Sequence, residues 1–367
     1  MTHDSLLNEL WSRTVARLGG EAALAASARA NKAFLRPRGI RSAVDLLRIV
    51  LAYCLGGVGM RATTAWAASV GLADLSNVAL LGRLRNCAGW IEDLLATLMT
   101  TGLRPDTGGR VVRIVDATCV PKAGRNARCN GRLWRIHAVL DLPSERFSRF
   151  DLTDEKAPEM LDKCDVVPGE IRVADRGYMR AHRIAAALAA GGDIIVRAGW
   201  KQARWLDADG TPLDMMALLR AAEATGRIDR PIGIASGSGN TLRLRLVAFR
   251  KSPAAIAEAR RKTRREATKE CKTPTSDTLQ AAEWILLVTS LDATEFPTEQ
   301  IGELYRVRWR IEMAFKRLKS LIGLGGPPGE DPAVAKTWIL AHLLMILLLE
   351  PHTAVVEDSP RSASLAA

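Results

Sequence analysis

The first hundred residues repeat apolar side chains at the spacing of amphipathic helices. Residues 44–53 follow a helical period, and a glycine pair interrupts the pattern before it resumes at residues 60–70. Ser76 then caps a further segment, whose apolar positions run through residues 78–95. We therefore predict a helical domain over residues 1–105, which either binds DNA as a helix-turn-helix or only covers the next domain.

The hydrophobic period changes from helical to β-type near residue 110. A β-branched run ends on Asp116, and a second short apolar run ends on Asp175. The other elements that the pattern predicts in this region are strands at 133–140, 146–152 and 193–196 and helices at 158–164 and 180–190. This order indicates a mixed α/β sheet with both aspartates at strand ends, where the ligand sites of open α/β sheets lie.

Residues 198–290 interrupt the alternation of strands and helices and contain mainly strand patterns. Leucine alternates with arginine at residues 242–246, as in a half-exposed strand, and residues 284–290 form another strand pattern. Between them, residues 251–273 carry eight Lys or Arg and three Glu. We predict that this basic run is exposed and partly helical, and that it either follows a DNA backbone or is simply a solvated face.

The last part of the chain returns to helical patterns. We predict a helix at residues 298–320, a linker at 323–329 and a helix at 332–349. The apolar run at residues 337–349 is too short to cross a bilayer, which favours a buried helix. Residues 351–367 are small and polar, which predicts a disordered tail.

Composition narrows the class of protein. With 367 residues, 48% hydrophobic and 25% charged, the chain is typical of a globular protein of several modules and not of a disordered one. Lys and Arg exceed Asp and Glu by 52 to 40, and the resulting charge of +12 favours a polyanionic partner. The six cysteines lack metal-ligand spacing and the N-terminus lacks a signal-peptide pattern. We therefore expect a cytoplasmic protein without membrane contact.

Residues 305–319 carry the most informative pattern. Tyr305, Arg308, Glu312 and Lys319 follow one another at intervals of three, four and seven residues. On a continuous helix these intervals place all four side chains along one stripe. Because cationic groups and hydroxyls bind phosphate oxygens while carboxylates bind cations, this set suits a phosphodiester substrate.

Three carboxylates are expected to converge where this helix packs on the sheet, namely those of Asp116, Asp175 and Glu312. Taken singly, each has an ordinary structural alternative as a cap or an ion-pair partner. Together, their like charges are unfavourable unless a cation neutralises them. Oxygen ligands without Cys or His favour Mg²⁺, for which Mn²⁺ can substitute. We therefore predict catalytic residues that hold two divalent ions roughly 4 Å apart for phosphoryl transfer.

The pattern Tyr-x2-Arg-x3-Glu-x6-Lys at residues 305–319 resembles, without departure, the YREK signature of the IS-four family of bacterial DDE transposases. Residues 115–118 and 174–178 are similar to the two aspartate motifs of that family. The resemblance extends over roughly residues 40–350 and implies a particular architecture. An RNase H-like core, an α/β fold with a mixed sheet, would occupy residues 106–197 and 291–350. A β-rich insertion at 198–290 would separate the second aspartate from the Glu-bearing helix.

The same resemblance implies the activity and its partners. The enzyme would bind the terminal inverted repeats of an insertion sequence, cleave double-stranded DNA with Mg²⁺, and transfer the 3′-hydroxyl end to target DNA. This cut-and-paste transposition would pass through a hairpin on the element end. A homodimer would pair the two ends, and the protein would be associated with the nucleoid.

The resemblance also implies which residues contact DNA. The three carboxylates would form the catalytic and metal-binding triad, and Tyr305, Arg308 and Lys319 would contact the DNA near the cleaved end. Arg176 follows the second aspartate and either touches DNA or pairs with a carboxylate. Trp284 is similar in position to a tryptophan that stacks on a flipped base in relatives. Its apolar neighbours equally favour a core position.

Two alternatives remain at this stage. A nuclease with the same core would cleave DNA but perform no strand transfer. An inactive or domesticated derivative would only bind DNA, although the complete triad argues against loss of the active site. We also expect Trp309 to pack beneath the YREK stripe.

Overall fold

The structure is a computed structural model, and it describes residues 3–100, 110–121, 133–142, 146–154, 156–236, 240–321 and 323–357. The helices are α1 His3–Arg17, α2 Gly20–Ala30, α3 Ala43–Leu55, α4 Met60–Ser69, α5 Asn77–Arg85, α6 Ala88–Thr100, α7 Ala181–Ala189, α8 Met215–Ala221, α9 Pro253–Lys269, α10 Ser276–Ala281, α11 Thr298–Arg306, α12 Trp309–Leu321 and α13 Pro332–Glu357. The strands are β1 Val112–Pro121, β2 Leu133–Leu142, β3 Arg146–Asp154, β4 Ile171–Ala174, β5 Asp193–Ala198, β6 Trp205–Leu206, β7 Arg227–Ala235, β8 Thr241–Arg250 and β9 Trp284–Thr289.

The described strands form one mixed sheet in the order β3-β2-β1-β4-β5-β9-β8-β7-β6. Strands β1, β2 and β3 are antiparallel neighbours, whereas β4 pairs in parallel with both β1 and β5. Strand β9 then joins β5 to β8 through antiparallel pairing on both sides. The strands of residues 198–290 therefore extend the same sheet. The expected mixed α/β class is confirmed.

Helices cover both faces of the sheet. On one face, apolar side chains such as Ile114 and Val173 share a continuous core with α11, α12, α13 and the N-terminal helices. On the other face, Val115 and Ala174 pack in a second core with α7 and α8. This alternation follows from the two-residue period of a strand. It places consecutive residues of β1 and β4 on opposite sides of the sheet.

The N-terminal helices pack directly on α13. Thr337 of α13 donates a hydrogen bond to the carbonyl of Leu84 over 2.8 Å, and Arg85 pairs with Asp331 at 2.6 Å. Arg83 donates to the backbone carbonyls of Arg36 and Arg38. Both arginines of α5 thus hold the helices together. A helix-turn-helix function for residues 1–105 stays a prediction.

Helix α13 contains an apolar stretch, Pro332–Leu349, that is long enough to cross a membrane by length and composition. Of that stretch, 67% is buried inside the protein. His342 lies within it and is itself buried, with its ring Nδ1 2.8 Å from the carbonyl oxygen of Trp338. The stretch is therefore a core helix, as the length of its apolar run predicted.

Three local predictions were wrong or incomplete. Residues 158–164 form turns instead of a helix, because the buried Arg172 guanidinium binds the carbonyls of Leu161 and Asp165, which helical hydrogen bonds would otherwise use. The helix expected at 332–349 continues to Glu357, so the tail expected from residue 351 begins inside α13. The rest of that tail, residues 358–367, lies outside the described residues.

A buried ion network fixes the register of β1, β2 and β4. Arg113 lies beside Arg172 on β4 and opposite Asp141 on β2. Arg113 donates to Asp141 over 2.8 Å, and both arginines donate to the carboxylate of Glu170, which is only 1% exposed. Glu170 therefore neutralises two neighbouring guanidinium groups. Without it, two buried positive charges would face each other across the parallel pair.

We predict that Glu170→Ala lowers the free energy of unfolding by about 3–5 kcal/mol, because it leaves the buried Arg172 without a carboxylate partner and Arg113 with only one. Glu258→Ala is the matched control, since Glu258 pairs with Arg261 on the exposed surface of α9. Its effect should stay below about 0.5 kcal/mol. Urea denaturation of both variants measures the difference, and equal effects would contradict the role of the network.

Candidate active site

The parallel pairing of β1 with β4 brings Asp116 and Asp175 to the same level of the sheet. The last paired residues are Val115 and Ala174, and each aspartate directly follows one of them along the chain. Strand β4 ends at Ala174, as predicted, whereas β1 continues to Pro121 through its pairing with β2. Asp116 is therefore a mid-strand residue at the point where the neighbouring strand ends. The prediction that it ends its strand was wrong.

The helix that carries the YREK stripe is broken in two. Helix α11 ends at Arg306 and α12 begins at Trp309, so Arg308 lies in the break and not on a continuous helix. The Arg308 amide donates to the carbonyl of Tyr305 over 3.1 Å, and the Arg310 amide donates to that of Val307 over 3.0 Å. These three-residue intervals belong to a tighter 3-10 turn. The local tightening rotates Tyr305 relative to α12, which the regular period did not predict.

Despite this break, Tyr305 and Arg308 each contact one of the two aspartates, and Glu312 and Lys319 lie beside Asp116 in the same pocket. The Tyr305 hydroxyl donates to Asp175 Oδ1 over 3.2 Å, and Lys319 Nζ donates to the hydroxyl of Thr118 over 2.6 Å. The Arg308 guanidinium lies 3.6 Å from Asp116 Oδ2 and donates to Glu312 Oε1 over 2.5 Å. The structure therefore gathers the stripe and both aspartates into one site.

Arg308 supplies the positive charge at the centre of this site. Its guanidinium touches Asp116 and Glu312 and also interacts electrostatically with Asp175. Within the described residues, no group of three or more Asp, Glu, His or Cys is arranged to hold a metal ion. The carboxylates instead surround a cationic side chain. Carboxylate oxygens are the ligands that a hard divalent cation prefers, so the chemistry of this set suits such an ion, although the described side chains are not arranged as one ligand group.

The environments of the two aspartates push their pKa values in opposite directions. Burial raises the pKa of Asp116 to about 6, although the Ala117 amide and Arg308 favour its charged form. Burial also disfavours the charged form of Asp175. There the Arg176 amide, Arg308, Arg197 and the Tyr305 hydroxyl outweigh burial and hold its pKa below the usual value. Asp116 is thus the carboxylate that gains most from an added cation.

Arg197 is a site residue that sequence reasoning missed. It lies on β5, and its guanidinium is 3.8 Å from Asp175 Oδ1. A charged residue after three apolar positions of a buried strand was the available signal. Arg176 was predicted as a DNA contact, and its side chain is exposed beside Asp175. Its backbone carbonyl accepts a hydrogen bond from Gln202 over 2.6 Å, which anchors the turn after β4.

The structure places Trp284 and Trp309 differently from the roles that the sequence suggested for them. Trp284 is 3% exposed and belongs to the second core, so the structure favours its packing role over base stacking. Its ring lines the floor of a cleft of about 380 Å³ that also contains Asp175 and Arg197. Trp309 was expected to pack beneath the stripe, but it is 55% exposed. The break before α12 turns its ring to solvent, because the helical period restarts at that residue.

The opposite pKa shifts of the two aspartates give a stability test in buffer with a metal chelator. The folded protein binds the Asp116 proton more tightly than the unfolded chain, so ionisation of Asp116 lowers stability as pH rises from about 4 to 6. At pH 7, Asp116→Asn should therefore raise the free energy of unfolding, by about 3 kcal/mol at most. The gain should vanish below about pH 4.

Asp175→Asn serves as the opposite control in the same measurement. The pKa of Asp175 is lowered by folding, so its charged form contributes stability at pH 7 that is lost as pH falls. Its substitution should destabilise the protein at pH 7. Chemical denaturation at pH 4 and pH 7 measures both effects, and the same sign for both variants at pH 7 would refute the described electrostatics.

Comparison with known proteins connects this site to a family. Residues 107–348 match the family described as the transposase DDE domain. Two relatives from Escherichia coli are each 37% identical to this chain, with 96% of both chains covered. One is named as the transposase InsL for insertion sequence element IS186A of strain K12, and the other as the transposase for insertion sequence element IS421.

A solved structure, the Drosophila P element transposase strand transfer complex, matches with 12% identity over 84% of this chain and 80% of that chain. Its TM-score of 0.22 is too low to show a common fold. The sequence relationships are sufficient without it, because the family match spans more than half of the chain and the relatives align over nearly all of it. The chain belongs to the DDE transposase family.

Proposed function

We propose that this chain is the transposase of an insertion sequence, which binds the terminal inverted repeats, cuts the double-stranded DNA there and joins the ends to target DNA. The observation that carries the proposal is the convergence of Asp116, Asp175 and Glu312 around the Arg308 guanidinium. The family and the named relatives support the same activity. The complete triad favours an active enzyme over a derivative that only binds DNA.

The proposed catalytic domain is an RNase H-like core built from residues 106–197 and 291–350. Its support is the strand order β3-β2-β1-β4-β5, with an antiparallel first part and a parallel second part. Residues 198–290 would be the insertion, and residues 1–105 the helical domain. The shared core of α13 and the N-terminal helices means that these domains would move together.

The three carboxylates would hold two Mg²⁺ ions, for which Mn²⁺ could substitute. Bound ions of this kind activate an attacking oxygen and stabilise a leaving oxygen in phosphoryl transfer. Asp116 and Asp175 are held by the sheet, whereas Glu312 is carried on α12. Because only Glu312 is carried on a helix, a shift of α12 would close the site on DNA while Asp116 and Asp175 stay in place.

The cationic and hydroxyl groups around the triad would position the DNA. The Arg308 guanidinium, whose planar set of donors suits phosphate oxygens, would contact a phosphate of the bound strand. Tyr305 and Lys319 would contact the same strand from either side, through a hydroxyl and an ammonium group. Arg176 is exposed beside Asp175 and would bind a neighbouring phosphate. These contacts are to the backbone and therefore carry no sequence information.

The proposed reaction is a series of phosphoryl transfers. Water first attacks the phosphodiester at the element end and releases a 3′-hydroxyl. That hydroxyl attacks the opposite strand, which cuts the second strand and forms a hairpin on the element end. Water then opens the hairpin, and the 3′-hydroxyl that is freed attacks a phosphodiester of target DNA and joins the element to it. In each attack the nucleophile loses its proton and the displaced 3′-oxygen gains one. A homodimer would hold both ends, and the protein would act in the cytoplasm on nucleoid DNA.

We predict that Glu312→Gln slows cleavage of a duplex carrying the terminal repeat by on the order of 10³-fold or more, because it removes one carboxylate of the triad. Binding of the uncleaved duplex should be retained, since Gln preserves the shape of the side chain. Glu303→Gln on the exposed side of α11 is the control and should leave the rate within about twofold. Equal cleavage by wild type and Glu312→Gln would refute the proposed triad.

Strand transfer separates a transposase from a nuclease with the same core. Pre-cut element ends with a free 3′-hydroxyl, incubated with Mg²⁺ and a supercoiled plasmid, should yield joined products on a gel. Joining needs the triad, so Glu312→Gln should yield none. Nicked plasmid alone would identify a nuclease, and DNA binding without any product would identify a derivative that only binds.

A further inference from the structure

Helix α9 is an exposed arm of the protein. None of its 17 residues is buried, although it is one of the longer helices. Ser252 caps its N-terminus through the amide of Ala255, and Arg260 pairs with the buried carboxylate of Glu283. Because an isolated helix of this length is only marginally stable in water, these contacts hold it against the sheet. Its exposed side faces solvent without an apolar partner.

The cleft between α9 and the active site is lined by cations. The cleft of about 380 Å³ runs from Asp175 past Arg197 and Lys251 to Lys262 of α9. Burial, then Arg197 and Lys262, lower the pKa of Lys251, which shows that these positive groups act on one another. The carboxylates that line the same cleft are Asp175 and Glu266, against four cationic side chains when Arg176 is included. The cleft therefore carries surplus positive charge.

A basic stripe on α9 continues this charge away from the cleft. Lys262, Arg265 and Lys269 follow one another at intervals of three and four residues, which aligns them along one side of the helix. All three are exposed, and among the described residues no carboxylate forms an ion pair with them. From Lys262 to Lys269 the stripe extends about 10 Å along the axis. That length exceeds the separation of neighbouring phosphates on a strand.

We propose that the cleft cations Arg197 and Lys251 and the α9 stripe form a track for DNA phosphates that leads away from the catalytic site. The proposal rests on the transposase function and names a second part of its DNA-binding surface. The occupant is a DNA backbone, because exposed cations at regular spacing match a line of phosphates and offer no apolar surface for a protein. The track positions DNA without reading its sequence.

The test uses two double variants of α9 with the same loss of charge. Lys262→Gln with Lys269→Gln removes two cations of the stripe. Arg261→Gln with Arg264→Gln removes two that lie roughly 80° or more around the same helix from Lys262 and Lys269, and Gln preserves helix propensity in both variants. Binding of the full-length protein to a 40-base-pair duplex is measured by fluorescence anisotropy across a salt series. Circular dichroism confirms that both variants are folded.

The stripe variant should bind roughly 30-fold more weakly at 0.15 M salt, and the slope of log K against log salt should fall by about 2. The control variant should lose less than about threefold, since exposed charges away from the DNA are screened. Equal losses in both variants, or no loss in the stripe variant, would overturn the track while leaving the triad intact. Wild-type protein that binds no DNA would refute the proposed function as well.

Discussion

The site depends on one electrostatic constraint, namely that the carboxylates of Asp116 and Glu312 share a single guanidinium, that of Arg308, which also acts on the carboxylate of Asp175. Such a group is stable only with a positive charge among its members. Arg308 supplies that charge by pairing with Asp116 and Glu312 while acting on Asp175. A divalent cation bound by the same carboxylates would supply positive charge of the same kind.

This constraint explains why the sheet is reinforced below the site. Asp116 and Asp175 lie level only because β1 and β4 pair in one register. The same strands contain the buried ion network of Arg113, Glu170 and Arg172, which a shifted register would break. A slip of one residue would also move each aspartate to the other face of the sheet. The buried ion network therefore fixes the register of β1 and β4, and that register places Asp116 and Asp175 side by side.

Much of the site could be predicted from the sequence because its signals are local. The apolar runs that precede Asp116 and Asp175, and the spacing of the YREK stripe, are visible without a structure, although β1 itself continues past Asp116. The break in the helix at Arg308 could not be predicted, since a regular helical period fits the same residues equally well. The pairing of β9 with β5 joins residues about 90 positions apart, and no local pattern specifies it. Burial of Trp284 was likewise undecided, because apolar neighbours occur both in cores and beside stacking rings.

The residues around the proposed triad and the residues of α9 differ in their net charge. At the catalytic centre, positive and negative groups nearly balance, so the excess of +12 must lie elsewhere on the molecule. Part of it lies on α9, a helix that buries no side chain and adds little to the core. A long basic helix without a buried residue contributes little to stability, because exposed like charges repel one another. A polyanion bound along it would balance these charges, and the cleft that leads to Asp175 would connect that polyanion to the proposed triad.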